Sequence, residues 1–274
     1  METRIFENAE EIAVAAAELY KELINNKPNA VLGLATGATP VPTYQNLIKM
    51  YENGEVSFKD ITTFNLDEYC DLDKNDKNSY YTFMHENLFS KVDINEDKVN
   101  FLDGNAPDCD AESKRYAEAI KAAGGIDLQL LGIGTNGHIA FNEPADEFTD
   151  EAFKVTLTQS TIDSNQKYFG DTPMPRYAMT MGIGSIMRSK KILLIATGEA
   201  KADAVKGREL AGCQPVKIHQ QERHTRNDNT VCKHLHRMIH FLKKKQNENG
   251  SQQIVYQRNL LYRKKPLTGF YPFK

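Results

Sequence analysis

Nowhere in its 274 residues does the chain hold an apolar run long enough to cross a bilayer, which takes about 20 residues. The opening stretch Met1-Glu-Thr-Arg-Ile-Phe-Glu-Asn8 lacks the basic and apolar segments of a secretory leader. Cysteine is scarce: Cys70, Cys109, Cys213 and Cys232 form no Cys-x-x-Cys pair and lack the density of a disulfide framework. A membrane span and a disulfide scaffold are therefore excluded as organising principles, and the expectation is a cytoplasmic protein with reduced thiols. The length suits one α/β domain with a full hydrophobic core.

The modest net charge of −3 hides a break. Residues 211–274 hold 13 Lys/Arg against 3 Asp/Glu, while residues 1–210 hold 21 against 34. Five of the seven histidines also follow residue 210. Residues 1–210 read as an acidic, enzyme-like domain, and residues 211–274 as an atypical basic tail.

What is present centres on residues 126–144. The apolar run Ile126–Ile133 reads as a buried strand, and Gly132, Gly134 and Gly137 allow sharp turns at its end. Asn136, His138 and Glu143 follow, so one tight loop can hold an amide, an imidazole and a carboxylate. Gly132-x-Gly134-x-x-Gly137 also fits a dinucleotide-binding fingerprint, which requires a helix of several turns after the third glycine. Pro144 and the acidic stretch Asp146–Glu151 leave no room for that helix.

Earlier in the chain, Asn8 is placed to cap a helix over 8–26, with Ile12, Ala16, Leu19 and Leu23 on one face. Ala30–Ala35 reads as a buried strand running into Thr36-Gly-Ala-Thr39, where free backbone N–H groups would make an anion site. Thr39 is expected to cap the next helix with Pro40 at its first position. Ile61–Leu66 is a further strand, delivering Asp67 and Glu68 at its carboxyl end. Helices are expected near 78–89, 110–124 and 156–169. Lys190–Ala196 reads as a last buried strand before Thr197-Gly-Glu-Ala-Lys201.

Strands alternating with helices predict a doubly wound, mostly parallel α/β sheet, Rossmann-like in type. The loops Thr36–Thr39, Asp67–Glu68, Gly134–His138 and Gly198–Lys201 would all lie beyond its carboxyl edge. One crevice would then hold an anion cradle, a lysine, a carboxylate and a histidine, suited to proton transfer on a phosphorylated small molecule.

Phe64-Asn-Leu-Asp-Glu-Tyr69, Gly132-Ile-Gly-Thr-Asn-Gly-His-Ile-Ala-Phe-Asn-Glu-Pro144, Tyr177-Ala-Met-Thr-Met-Gly-Ile-Gly184 and Gly198-Glu-Ala-Lys201 resemble the glucosamine-6-phosphate deaminase family. The resemblance covers roughly residues 1–207. The related 6-phosphogluconolactonases share the fold but are not expected to carry these motifs. The resemblance implies a sugar-phosphate isomerase-type fold and an aldose–ketose isomerisation coupled to deamination, in amino-sugar catabolism. Glucosamine 6-phosphate and water would give fructose 6-phosphate and ammonia, without metal or organic cofactor. It implies that Asp67 is the enolisation base and that His138 opens the pyranose ring, with Glu143 and Asn136 orienting the imidazole. Many family members carry Asp where Asn136 stands. Phosphate would fall to Thr36, Gly37, Ala38, Thr39, Lys201 and Lys167, the last replacing the family's usual arginine. The acidic segment 146–151 argues against the activation by N-acetylglucosamine 6-phosphate that basic residues there would support.

After Gly207 the resemblance ends, and the tail departs from the strand, loop and helix the family would supply. A shifted reading frame is the favoured account, with a nucleic-acid-binding basic appendage as its rival. Cys232, His234 and His236 do not make the two spaced ligand pairs of a structural zinc site. On the first account residues 211–274 are poorly ordered, and Ile192–Ala196 keeps an exposed flank. The expected partner is the small sugar phosphate, with no membrane partner and with a homo-oligomer left open. The rival function is a catalytically impaired sugar-phosphate-binding protein or a nucleic-acid binder.

Overall fold

The computed structural model describes residues 2–143, 148–202, 204–205 and 253–257. Strands β1 (Glu2–Phe6), β2 (Val31–Leu34), β3 (Thr62–Asn65), β4 (Asp67–Tyr69) and β5 (Val99–Asn100) alternate with helices α1 (Ala9–Asn26), α2 (Val41–Glu52) and α3 (Tyr80–Asn87). Then come α4 (Cys109–Ala122), β6 (Leu128–Leu131), β7 (Phe153–Thr156), α5 (Gln159–Phe169), β8 (Tyr177–Thr180), α6 (Ile183–Met187), β9 (Lys191–Ala196) and β10 (Gln253–Gln257).

Seven strands form one sheet in the order β1-β10-β9-β6-β2-β3-β5, and its paired strands run parallel. The predicted doubly wound α/β sheet is therefore present. Its central strands β2 and β6 are buried at every residue, as a parallel sheet covered on its faces requires. Gln129 is the one polar side chain within those two strands, and it faces Gly33 in register. Any Cβ at Gly33 would run into the Gln129 amide, so the glycine makes room for it. The amide donates to the Leu130 carbonyl at 2.9 Å.

The chain leaves β2 toward β3 and β5, then returns to the other side of β2 as β6 and β9. The order reverses between β2 and β6, the place where open α/β sheets bind ligands. At the opposite edge Asp127 fastens three strands. It accepts from Lys27 Nζ at 2.6 Å, the Val31 amide at 2.8 Å and Lys190 Nζ at 2.7 Å. Burial alone would raise its pKa, yet the Lys190, Lys27 and Val31 donors hold it below the usual carboxylate range.

Asn8 caps α1 as expected, accepting from the Glu11 amide at 2.9 Å. Thr39 does not cap α2: residues 38–40 form a turn, Pro40 takes the cap position, and the helix starts at Val41. The expected helix over 156–169 begins later, at Gln159, because Thr158 caps it and Phe153–Thr156 forms a strand. That strand alternates half-buried and exposed residues, a period of two. With β8 and β4 it makes a small antiparallel sheet in the order β4-β8-β7.

The expected exposed flank on β9 is also corrected. Gln253–Gln257 pairs with it, from Gln253 opposite Leu193 to Tyr256 opposite Ala196. The run Ile254-Val255-Tyr256 has strong strand propensity, which the tail's average composition conceals. Cys232, His234, His236, Pro144 and most of the basic tail lie outside the described residues.

Candidate active site

Four loops follow β9, β6, β2 and β3, which stand side by side in the sheet. They bring Lys201, His138, Thr36–Thr39 and Asp67 to the same carboxyl edge.

Asp67 opens β4 immediately after β3. It is 7% exposed, and burial pushes its pKa up to about 8, with the neighbouring Glu68 charge adding to the effect. In the small sheet Asp67 lies opposite Thr180 of β8. Thr180 Oγ1 also accepts the Phe141 amide at 3.2 Å, and Asn142 Nδ2 donates to the Met181 carbonyl at 2.8 Å. The loop that carries His138 is thereby tied to the strand paired with Asp67. The Tyr177–Gly184 motif supplies this bridge, a role not visible in the sequence.

The His138 loop closes on itself. The Gly134 amide donates to the His138 carbonyl at 2.8 Å, and the Gly137 amide to the Gly134 carbonyl at 3.0 Å. Asn136 Nδ2 donates to Glu143 Oε2 at 2.6 Å, while its Oδ1 accepts the His138 amide at 3.1 Å. Asn136 thus touches Glu143 and the His138 backbone. Thr161 Oγ1 and Thr158 Oγ1 donate to Glu143 Oε1 at 2.7 Å and 3.1 Å. Nothing local in the sequence marks the α5 cap Thr158, or Thr161 in the first turn, as serving a distant carboxylate.

His138 Nδ1 stands 3.9 Å from Glu143 Oε1, beyond hydrogen-bond reach. The atom is buried and has no hydrogen-bond partner among the described residues. Burial lowers the His138 pKa, the Glu143 carboxylate opposes the shift, and the Lys201 charge reinforces it. The imidazole is accordingly neutral near pH 7 and free to take or give a proton.

The amides of Thr36, Gly37, Ala38 and Thr39 make no backbone hydrogen bond among the described residues. The loop is held from beneath by Tyr44, whose hydroxyl donates to the Ala35 carbonyl at 2.6 Å. Lys201 sits in a helical turn, Glu199–Lys201, and burial lowers its pKa. Four free amides and a partly desolvated ammonium suit an anion. Lys167 is exposed in the last turn of α5, with its ammonium 5.0 Å above the Tyr168 ring.

Glu68 and Tyr80 pack beside Asp67. Glu68 is 6% exposed and accepts the amides of Tyr69, Tyr80 and Tyr81. The Tyr80 phenol donates to the Tyr69 hydroxyl at 3.1 Å; burial raises its pKa, and the Thr36 side chain opposes that shift.

An open parallel sheet with this polar cluster at its switch point defines an α/β protein built to hold a small anionic ligand. Residues 6–226 match the family described as glucosamine-6-phosphate isomerases/6-phosphogluconolactonase, and the chain belongs to that family. It is 48% identical over 207 residues to glucosamine-6-phosphate deaminase of Thermoanaerobacter sp. (strain X514), covering 75% of this chain and 82% of the relative. The corresponding figures for the Mycoplasma mycoides subsp. mycoides SC deaminase are 52% over 206 residues, 75% and 83%. Among solved structures, a monomeric glucosamine-6-phosphate deaminase superposes with a TM-score of 0.78 at 36% identity, covering 94% of this chain and 98% of that one. The 6-phosphogluconolactonase of Thermotoga maritima superposes at 0.66 with 17% identity over 93% and 98%, a likeness of fold alone.

Proposed function

We propose that the protein catalyses the deaminating isomerisation of glucosamine 6-phosphate, giving fructose 6-phosphate and ammonia. The relatives of about half-identical sequence carry that name, and the family's defining loops are present here. The observation that carries the reading is the tie between the Asp67 strand and the His138 loop through Thr180. It supports a site in which a buried carboxyl group and a neutral imidazole act together on an anionic substrate.

On this reading Thr36–Thr39 and Lys201 hold the phosphate and fix the sugar's register. His138 carries a proton between O1 and the ring oxygen, opening the pyranose, while Glu143 supports the transient imidazolium. Asp67, once ionised, takes the C2 proton and returns it to C1. The resulting imine at C2 is hydrolysed by water, and the nitrogen leaves as ammonia. Desolvation raises the basicity of Asp67, which brings it closer to the weak carbon acid it must deprotonate. Lys167, exposed in the last turn of α5, is a further candidate for the phosphate.

The partner is then a small sugar phosphate, and a cytoplasmic setting suits such metabolism. Among the described residues no helix is long and apolar enough to cross a membrane. The deciding experiment measures ammonia and fructose 6-phosphate from glucosamine 6-phosphate in the same reaction. Equimolar appearance of both supports the proposal, and phosphate-sugar binding with no ammonia would leave a binding protein instead. Gel-shift titration with single- and double-stranded DNA and RNA tests the rival reading, and saturable binding there would favour it.

A further inference from the structure

The carboxylate beside Asp67 takes no part in the proton transfers above, yet it is almost fully buried. A buried carboxylate is costly unless donors meet it. For Glu68 those donors are backbone amides: Tyr69 and Tyr80 to Oε1 at 2.8 Å and 2.9 Å, and Tyr81 to Oε2 at 2.9 Å. Tyr80 and Tyr81 open α3, where free N–H groups and the helix dipole favour negative charge. Glu68 therefore clamps the first turn of α3 onto β4.

The clamp has a reach in two directions. Along the chain it adjoins Asp67. Tyr80 carries it on: that ring lies 4.7 Å from Tyr69 and its phenol donates to the Tyr69 hydroxyl at 3.1 Å, while burial raises the Tyr80 pKa and the Thr36 side chain opposes the shift. The same ring stacks at 6.1 Å on Phe141, in the His138 loop.

We propose that Glu68 is a positioning residue: by fixing the first turn of α3 to β4 it keeps Asp67 and the Thr36 end of the anion loop in one rigid unit. What that unit does rests on the deaminase reading; that it exists does not. The Glu68 charge has a second effect, adding to burial in holding Asp67 protonated.

The test uses Glu68→Gln in the full chain. Glutamine keeps the shape but turns an NH2 toward one of the amides and removes the charge. Two quantities are read: affinity for inorganic phosphate by calorimetry, and the Asp67 titration midpoint by carboxyl-carbon NMR. Losing a hydrogen bond to a charged group weakens phosphate binding by roughly tenfold or more, through the loosened Thr36. The Asp67 midpoint falls at the same time. Tyr80→Phe leaves the clamp intact, so it weakens phosphate binding without moving the Asp67 midpoint. A folded Glu68→Gln protein with either quantity unchanged overturns the proposal, as does a lowered melting temperature alone. Should that variant not fold, unaltered phosphate affinity in Tyr80→Phe overturns the link to Thr36, and so does failure of the wild type to bind phosphate. A wild type that releases no ammonia refutes the deaminase reading while these binding and NMR results still judge Glu68.

Discussion

The imidazole of His138 lies so close over Gly134 that a methyl group built on that glycine would run into its Cε1 and Nδ1 atoms. The second glycine of the Gly-x-Gly-x-x-Gly run thus serves ring placement, not a pyrophosphate. Gly134→Ala must displace the ring or the loop, and a shift of about 1 Å can cost on the order of 10²-fold in rate. We expect such a loss in kcat/KM, with phosphate binding retained. Full activity in that variant would remove His138 from the reaction.

Asp67 titrates near pH 8 because burial, aided by Glu68, opposes its charge. The acid limb of kcat/KM should therefore fall in that region, since this parameter reports the free enzyme. Asp67→Asn should cut turnover by about 10²- to 10⁴-fold. It should also change stability with a definite sign. A carboxyl whose folded pKa is raised stabilises fully below its unfolded pKa, and that contribution is lost as pH rises through about 8. The asparagine variant should then gain stability over wild type between pH 4 and 9, which urea unfolding at several pH values would measure.

Lys201 is half-buried at the crevice, while Lys167 is exposed on α5. Lys201→Ala should raise KM for the sugar phosphate more than it lowers kcat. Lys167→Ala should raise KM less, because its ammonium is exposed. Equal effects from the two variants would give both lysines the phosphate, and an unchanged KM in Lys201→Ala would exclude it from the phosphate site.

Asp127 binds two lysines and the Val31 amide far from the chemistry. Removing its charge leaves those donors poorly met, at a cost of about 1–3 kcal/mol. Its depressed pKa adds stability above the unfolded value, and that stability is lost as pH falls through the folded value. Asp127→Asn should lower the melting temperature at pH 7, with the deficit shrinking in acid and kinetics unaltered. A normal melting temperature would show the cluster to be without net effect.

The legible parts of this molecule were those fixed by continuous local signals. Val31–Leu34, Leu128–Leu131 and Lys191–Ala196 announce buried parallel strands because each is an apolar run bounded by turn residues. Their order made the carboxyl edge, and hence the meeting of Thr36, Asp67, His138 and Lys201, inferable. Pairing across long sequence separations was not inferable. Thr180 opposite Asp67, and Thr161 on Glu143, depend on β8 and α5 folding back over the edge. The Asn136 amide bonds to Glu143, a partner that no spacing rule predicts. The strand at Gln253–Gln257 was hidden by the basic residues around it.

That strand lies between β1 and β9. The first strand of the chain consequently has its ladder partner near the other end, and a growing polypeptide must synthesise about 250 residues before β1 can dock. Until then both β1 and the flank of β9 offer unpaired backbone groups to any passing chain. A nick or stop ahead of Gln253 would leave the catalytic loops chemically complete yet strip two strands from the sheet's margin.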